Sequence, residues 1–405
     1  MGYNIDKMRI LVVTQYYYPE SFAITALCEN LVQLGHRVQV VTSKPQYGFG
    51  TVPKDYVKIT DEVISGVNIH RVKTFARKKT FLSVLLNYLT FYRSAMKAVQ
   101  QIPGRFDVVL SVSLSPLISI APAIRYARQH GLKHLLYAVD VWPESLLVTG
   151  LLKPTHWVYQ WLKRWSYALY RQVDRILVGS PSYIHHFNQL VGKEKVIQTP
   201  LIQPALIESV GKEMMDFGQG FHLVYTGNLG TLQKLQVLVR AWLQTSQEDH
   251  LHLIGDGSQT QTLKQLITQL KLEKRVHVYA HQTTENLGKF LAAADAFFVG
   301  IQTPGIVGKT IPHKLIQYLP FGKPILGYLQ GDGRTLLSSL PPTFFLNAKM
   351  ANLKTLIKKI KQLTPTQREN MAKQHQQYYA DHFAARRSAQ RLADYLSELS
   401  QVTKA

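Results

Sequence analysis

Short runs of apolar residues alternate with segments of helical period along nearly the whole chain, and this alternation narrows the possible folds more than any other feature. Near the start, "RILVVTQYYYP" has the pattern of a buried strand. It is followed by "SFAITALCENLVQLGH", with apolar residues at helical spacing, and then by a second strand, "RVQVVTS". "DVVLSVS", "HLLYAV", "RILVGS" and "VIQTP" carry the series on. A second series opens with "FHLVYTGNLG" at 221–230 and continues through "HLHLIGDG", "RVHVYA", "AFFVGI" and "KPILGYL". Strands that are apolar throughout need cover on both faces, so the expected class is α/β with parallel sheets wrapped by helices.

A chain of 405 residues is long for a single core. The stretch 198–220, "QTPLIQPALIESVGKEMMDFGQG", has the proline and glycine content of a connector. We therefore expect two doubly wound domains, residues 1–200 and 201–379. A helix at about 380–405, after the polar helical pattern that follows Pro365, is free to pack back on the first domain. Ligands of two such domains are expected in a cleft, at the carboxyl ends of the strands.

Cys28 is the only cysteine, which leaves neither an intrachain disulfide nor a cysteine metal site and suits the cytoplasm. The net charge of +22 favours nucleic acid, anionic lipid or phosphorylated substrates, and more than half of it falls in residues 1–200. A solvated basic surface without a partner is the plain alternative. No nucleic-acid recognition motif accompanies the charge, so nucleic acid is not expected. The apolar run after Met8 and Arg9 is too short for an export signal. The uncharged run 108–124 carries four serines and two prolines, and reads as strand, loop and helix start rather than a membrane span.

The segment 308–326, "GKTIPHKLIQYLPFGKPIL", contains three lysines, a histidine and no carboxylate. A helix is expected to start after Pro312, because proline is favoured in a first turn. Its N–H groups with Lys309, His313 and Lys314 would hold a phosphate. "YTGNLGTLQK" offers a second anion site, formed by the backbone of Gly227, Asn228 and Gly230 with Lys234; the alternative is that these glycines only turn the chain. No Asp-x-Asp occurs, so no carboxylate pair of that kind is present to hold a metal on a sugar diphosphate.

Across these motifs the chain resembles the family 4 glycosyltransferases, and more narrowly the bacterial exopolysaccharide, capsule and colanic-acid type. "TQYYYPE", "DVWPESL", "VYTGNLGTLQKL", "HLIGDGS", "AAADAFFV" and "TIPHKLIQYLPFGKPILGYLQGDG" carry the resemblance, which runs almost end to end. It implies the GT-B fold, two Rossmann-like domains facing across a cleft. It also implies a retaining, metal-independent hexosyl-type transfer from a nucleotide diphosphate sugar, with no cofactor. The donor would lie in the C-terminal domain and the acceptor in the N-terminal one. Many relatives carry Glu-x7-Glu where this chain has Lys309 and Gln317. Asp332, in "QGDG", is a candidate replacement for the missing carboxylate.

Asp140 follows the strand "HLLYAV", and Glu144 stands four residues on, beyond Pro143. Two acids at a strand's carboxyl end suit orientation of an acceptor hydroxyl; the resemblance implies front-face attack, with a covalent glycosyl-enzyme as the less favoured route. Capping of the turn is the alternative for Asp140, and a structural role for Glu144. His36 and His134 are read as preceding their strands and receive no catalytic role. "RKKTFLSVLLNYLTFYRSAMKAVQ" and "HWVYQWLKRWSYALYRQ" are basic amphipathic patterns, the second with Trp157, Trp161 and Trp165, of the kind that lies on a bilayer or simply covers a sheet. The expectation is a cytoplasmic enzyme, peripheral on the inner membrane surface, extending a polyprenyl-diphosphate-linked glycan. The alternatives are a non-catalytic homologue acting as partner of another glycosyltransferase, and a nucleotide-sugar epimerase.

Overall fold

The computed structural model describes residues 7–401, apart from 21, 47–49, 79, 149, 151 and 200–213. Most of the expected connector therefore lies outside the described residues. The chain divides into two units, residues 1–202 with 385–405, and residues 203–384.

The first unit is built on eight strands: β1 (Arg9–Thr14), β2 (Arg37–Ser43), β3 (Asp61–Ile64), β4 (Val67–Val72), β5 (Val108–Ser113), β6 (Lys133–Ala138), β7 (Arg175–Val178) and β8 (Val196–Gln198). Their order is β3-β4-β2-β1-β5-β6-β7-β8, parallel throughout except for the β3–β4 hairpin. The order reverses between β1 and β5, which defines the switch point of a doubly wound sheet. The crossovers are α1 (Ala23–Gln33), α2 (Phe81–Gln101), α3 (Ala121–His130), the single turn α4 (Glu144–Leu147), α5 (Trp157–Tyr170) and α6 (Pro181–Val191). β5 is buried along its whole length, as a central strand covered on both faces must be. Residues 108–124, considered above as a span, form β5, a loop, a 3-10 turn at Leu117–Ile120 and the start of α3.

The second unit holds β9 (Phe221–Thr226), β10 (Asp249–Ile254), β11 (Val276–Tyr279), β12 (Ala296–Gly300), β13 (Ile325–Tyr328) and β14 (Phe344–Phe345). They form one parallel sheet in the order β11-β10-β9-β12-β13-β14. That is the dinucleotide-fold order, with its switch point between β9 and β12. The helices are α7 (Leu235–Ala241), α8 (Thr260–Gln269), α9 (Thr284–Ala293), α10 (His313–Tyr318), α11 (Gly331–Ser338), α12 (Leu353–Lys361) and α13 (Pro365–His382). α13 begins in a full capping box, Thr364 with Gln367.

The polar helical pattern after Pro365 forms α13, and a separate helix follows it. α14 (Ala385–Gln401) follows a break at Phe383–Ala384 and belongs to the first unit. It packs on α1 and on the sheet, and its stripe with Leu392, Leu396 and Leu399 is buried. Apolar residues at that spacing fix which face is covered. Among the described residues no helix is long and apolar enough to cross a membrane.

Candidate functional site

In the second unit, two loops leave the carboxyl ends of the switch-point strands. The first runs from Gly227 to Lys234 after β9. Gly227 has φ +109°, and its N–H donates to Ile254 O at 2.7 Å. Leu229 N–H donates to Asp256 O at 2.9 Å. The backbones touch because Gly255 and Gly257 lack side chains: a β-carbon on Gly255 would lie 2.0 Å from Gly227 O, and one on Gly257 2.5 Å from Asn228 Oδ1. Tyr225 Oη donates to Asn228 O at 2.7 Å and fixes the loop from below. Gly230 is the cap of a 3-10 turn, Thr231–Gln233, after which Lys234 adopts φ +55° and opens α7.

The second loop follows β12 and leads into α10. Pro312 is the residue before the first helical one, so the helix starts where the sequence pattern sets it. Tyr318, at the far end of α10, accepts from Thr226 N–H at 2.9 Å and lies 3.1 Å from Thr226 Oγ1. It is fully buried and stacks on Phe297 at 4.4 Å. That contact locks α10 to the end of β9, and one turn back on the same face the lock delivers Lys314. A β-carbon on Gly227 would lie 2.7 Å from Lys314 Cε and 2.9 Å from Nζ, so the ammonium fills the space that the glycine leaves open. Nζ stands 5.2 Å from the Tyr225 ring centroid. Among the described residues it makes no hydrogen bond and no ion pair. Loss of water pushes its pKa down to about 8. A half-buried cation without an internal acceptor, set against a glycine at a switch point, is equipped to receive an external anion.

The other donor candidates lie on α10, on the loop before it, at the start of α11 and on the loop after β9. His313 is exposed and Gln317 half-buried on α10, and Lys309 is exposed on the loop before it. Asp332 lies in the first turn of α11. That turn abuts the loop before α10: a β-carbon on Gly331 would meet Lys309 Cα at 2.5 Å, and one on Gly333 would meet Pro312 Cδ at 2.8 Å. Asp332 and Lys309 thus belong to neighbouring turns, and Asn228, Gly230 and Lys234 belong to the loop beneath Lys314.

In the first unit, Asp140 lies beyond the end of β6 and is half-buried. Its Oδ1 accepts from Val141 N–H at 2.9 Å, and its Oδ2 accepts from Ser115 Oγ, which is 3.1 Å from Ser145 Oγ. Ser115 follows β5, so Asp140 ties together the loops of two adjacent strands. Glu144 turns away into an aromatic group: Oε1 accepts from Tyr167 Oη at 2.8 Å and is 3.8 Å from His186 Nε2. Burial, and then the neighbouring carboxylate, push the Tyr159 phenol up to about 12 and raise Tyr167 as well. Two acids four residues apart therefore occupy different environments, separated by the turn at Pro143.

His36 Nδ1 accepts from Met8 N–H at 3.2 Å, a structural contact at the amino end of the sheet. His134 does not precede its strand, as the pattern suggested; it is the second residue of β6, fully buried, with Nε2 2.7 Å from Ser111 Oγ. Burial takes its pKa down to about 4, so it stays neutral. Sequence reasoning passed over Tyr318, Gly255 and Gly257. The last two lay in the quoted "HLIGDG", and Tyr318 stands one helical turn after Lys314, so spacing alone was available to flag it.

Two parallel-sheet Rossmann-like units with these orders define a GT-B fold. Residues 22–201 match the glycosyl transferase 4-like domain, and residues 217–377 match the glycosyl transferases group 1 domain. The chain belongs to the family 4 glycosyltransferases. A probable glycosyltransferase of Pseudomonas aeruginosa, WbjE, is 26% identical over 244 residues, 56% of this chain; the match spans 58% of that relative's length. Among solved structures, Anabaena HepE in complex with UDP and glucose aligns with a TM-score of 0.69 and 16% identity, covering 96% of this chain and 100% of that one. Sucrose-phosphate synthase from Thermosynechococcus elongatus aligns with a TM-score of 0.72 and 14% identity, covering 98% and 100%. At such identities the alignments speak for the fold.

Proposed function

We propose that this glycosyltransferase retains anomeric configuration and moves a hexosyl unit from a nucleotide diphosphate sugar to a polyprenyl-diphosphate-linked glycan. The setting would be exopolysaccharide or capsule assembly, at the inner surface of the cytoplasmic membrane. The observation that carries the reading is the Lys314 ammonium over Gly227, with no hydrogen bond or ion pair among the described residues. In this reading the donor diphosphate lies on Lys314 and the Gly227–Gly230 backbone, with Lys234 beside it. The bond from the anomeric carbon to the diphosphate oxygen breaks, and negative charge gathers on that oxygen. A fixed cation there lowers the barrier without needing a metal. The acceptor oxygen bonds to the same face of the sugar, and its proton passes to the departing phosphate. Asp140 orients the acceptor hydroxyl, while Glu144 acts through Tyr167 to hold the turn. The motif "DVWPES" supports the exopolysaccharide setting.

The test is incubation with nucleotide sugars and a short-chain polyprenyl-diphosphate sugar in EDTA, with the product's anomeric configuration read by NMR. The expected result is one new glycosidic bond of the donor's own configuration. Inversion, or transfer that needs added metal, would contradict the mechanism. Donor binding without transfer would favour the partner-subunit role, to which Lys309 and Gln317 in place of two glutamates lend some support. An altered donor sugar without acceptor would favour the epimerase.

A further inference from the structure

We propose that the outward faces of α2 and α5 form one docking surface for an anionic lipid bilayer. The inference rests on the membrane-bound acceptor proposed above and assigns the surface that would reach it. Large apolar side chains are exposed in two places on these helices. On α2, Leu82 is 63% exposed, Leu85 41% and Leu89 36%, a stripe at i, i+3 and i+7. On α5, Trp157 is 75% exposed and Trp161 61%, one turn apart.

The two stripes belong to one end of one layer. α2 joins β4 to the parallel strand β5, and α5 joins β6 to the parallel strand β7. Each helix must therefore run back from the carboxyl ends of the strands towards their amino ends. The exposed leucines and tryptophans occupy the first halves of both helices, so they cluster at the carboxyl end, as does the Asp140 loop. Both helices also pack against the same 3-10 turn, Leu117–Ile120.

Charge identifies the occupant. No aspartate or glutamate occurs between Glu62 and Asp107, or between Glu144 and Asp174, the segments that contain α2 and α5. On each helix the apolar stripe is followed one turn later by an exposed arginine, Arg93 after Leu89 and Arg164 after Trp161. One turn is about 5 Å. Apolar residues that enter the acyl boundary, with cations set back by that depth, match the layering of an anionic leaflet. Tryptophan is favoured at that boundary for its apolar body and polar N–H.

The experiment is flotation of the full chain with vesicles of phosphatidylcholine alone and of phosphatidylcholine with 30% phosphatidylglycerol, alongside two variants, Trp157→Gln/Trp161→Gln and Leu82→Gln/Leu85→Gln. Both variants change exposed side chains, and unchanged thermal melting verifies that they fold. Wild type should float with the anionic vesicles, and each variant should lose about tenfold or more in partitioning. Brominated lipid should quench wild-type tryptophan fluorescence, and much less that of the Trp157→Gln/Trp161→Gln variant. If wild type floats and both variants float equally well, this surface is wrong while the membrane reading stands. If wild type floats with neither vesicle, the membrane part of the proposed function fails with it. Binding abolished by 0.5 M salt and indifferent to both variants would overturn apolar docking.

Discussion

The ammonium of Lys314 occupies the volume that a β-carbon on Gly227 would need, 2.9 Å from where that carbon would sit. A residue on a helix after β12 thereby becomes part of the loop after β9. Gly227→Ala should disturb the pair in two ways. At φ +109° an alanine is strained, at about 1 kcal/mol or more. The new methyl also displaces a flexible lysine tip, which yields easily. The expected result is a drop of a few degrees in Tm together with a loss of nucleotide-sugar affinity that is large for so small a change. An alanine variant with unaltered affinity would separate Lys314 from donor binding.

The depressed pKa of Lys314 gives donor binding a defined pH dependence. The diphosphate favours the charged amine, and burial holds the amine's pKa near 8 in the free protein. Affinity should be flat below about pH 7.5 and fall by up to tenfold per unit above pH 8, as the amine loses its proton. Titration calorimetry between pH 7 and 9 reads this, and Lys314→Ala should flatten the profile. An identical slope in the variant would assign the proton elsewhere.

Tyr318 sets the position of α10, so its hydroxyl has a measurable value. Tyr318→Phe leaves the buried Thr226 N–H without its acceptor at 2.9 Å, and such an orphan costs about 1–3 kcal/mol. Chemical denaturation should show that loss, with a smaller loss of donor affinity than Lys314→Ala gives. Full wild-type stability would mean that the N–H finds another partner.

Acid should weaken the second unit through its histidines. His222 on β9, His250 and His252 on β10 and His277 on β11 stack ring on ring, with centroids 5.1–5.7 Å apart, and Phe217 covers His252 at 3.9 Å. Burial, and then the neighbouring imidazoles, take His252 down to about 3 and lower His250 and His277. His252 is neutral in the fold and the other two hold a proton less readily than free histidine, while the unfolded chain takes up protons below about pH 6.5. Their contribution is therefore whole above that pH and declines as pH falls. Each such group adds a slope of up to about 1.4 kcal/mol per pH unit. Melting between pH 7.5 and 5 should show the decline, and His252→Gln should reduce its slope whatever it does to Tm at pH 7.5. An unchanged slope would contradict the assignment.

Much of the fold was legible because parallel strands buried on both faces are written as largely apolar runs, and β1, β5, β9 and β12 are such runs. The helix at Lys314 was legible from Pro312 alone. The exact place of the break between α13 and α14 was not, because Phe383–Ala384 carries neither glycine nor proline and the polar pattern continues across it. His134 was misplaced because a histidine at the edge of an apolar run looks like its boundary, whereas Ser111 on the adjacent strand satisfies it within the sheet. The different roles of Asp140 and Glu144 depend on partners 23 or more residues away, Ser115, Tyr167 and His186, and no local pattern carries that.

The most direct test of the central claim is a binding comparison of wild type, Lys314→Ala and Asp140→Asn against UDP, GDP, dTDP, ADP and their sugars, with EDTA throughout. A nucleotide at 100 times its dissociation constant adds about 2.7 kcal/mol of stability, a thermal shift of a few degrees. The account predicts that one nucleotide class shifts wild type and Asp140→Asn alike and leaves Lys314→Ala unmoved, with turnover falling in Asp140→Asn. A shift that survives in Lys314→Ala and vanishes in Asp140→Asn would contradict it.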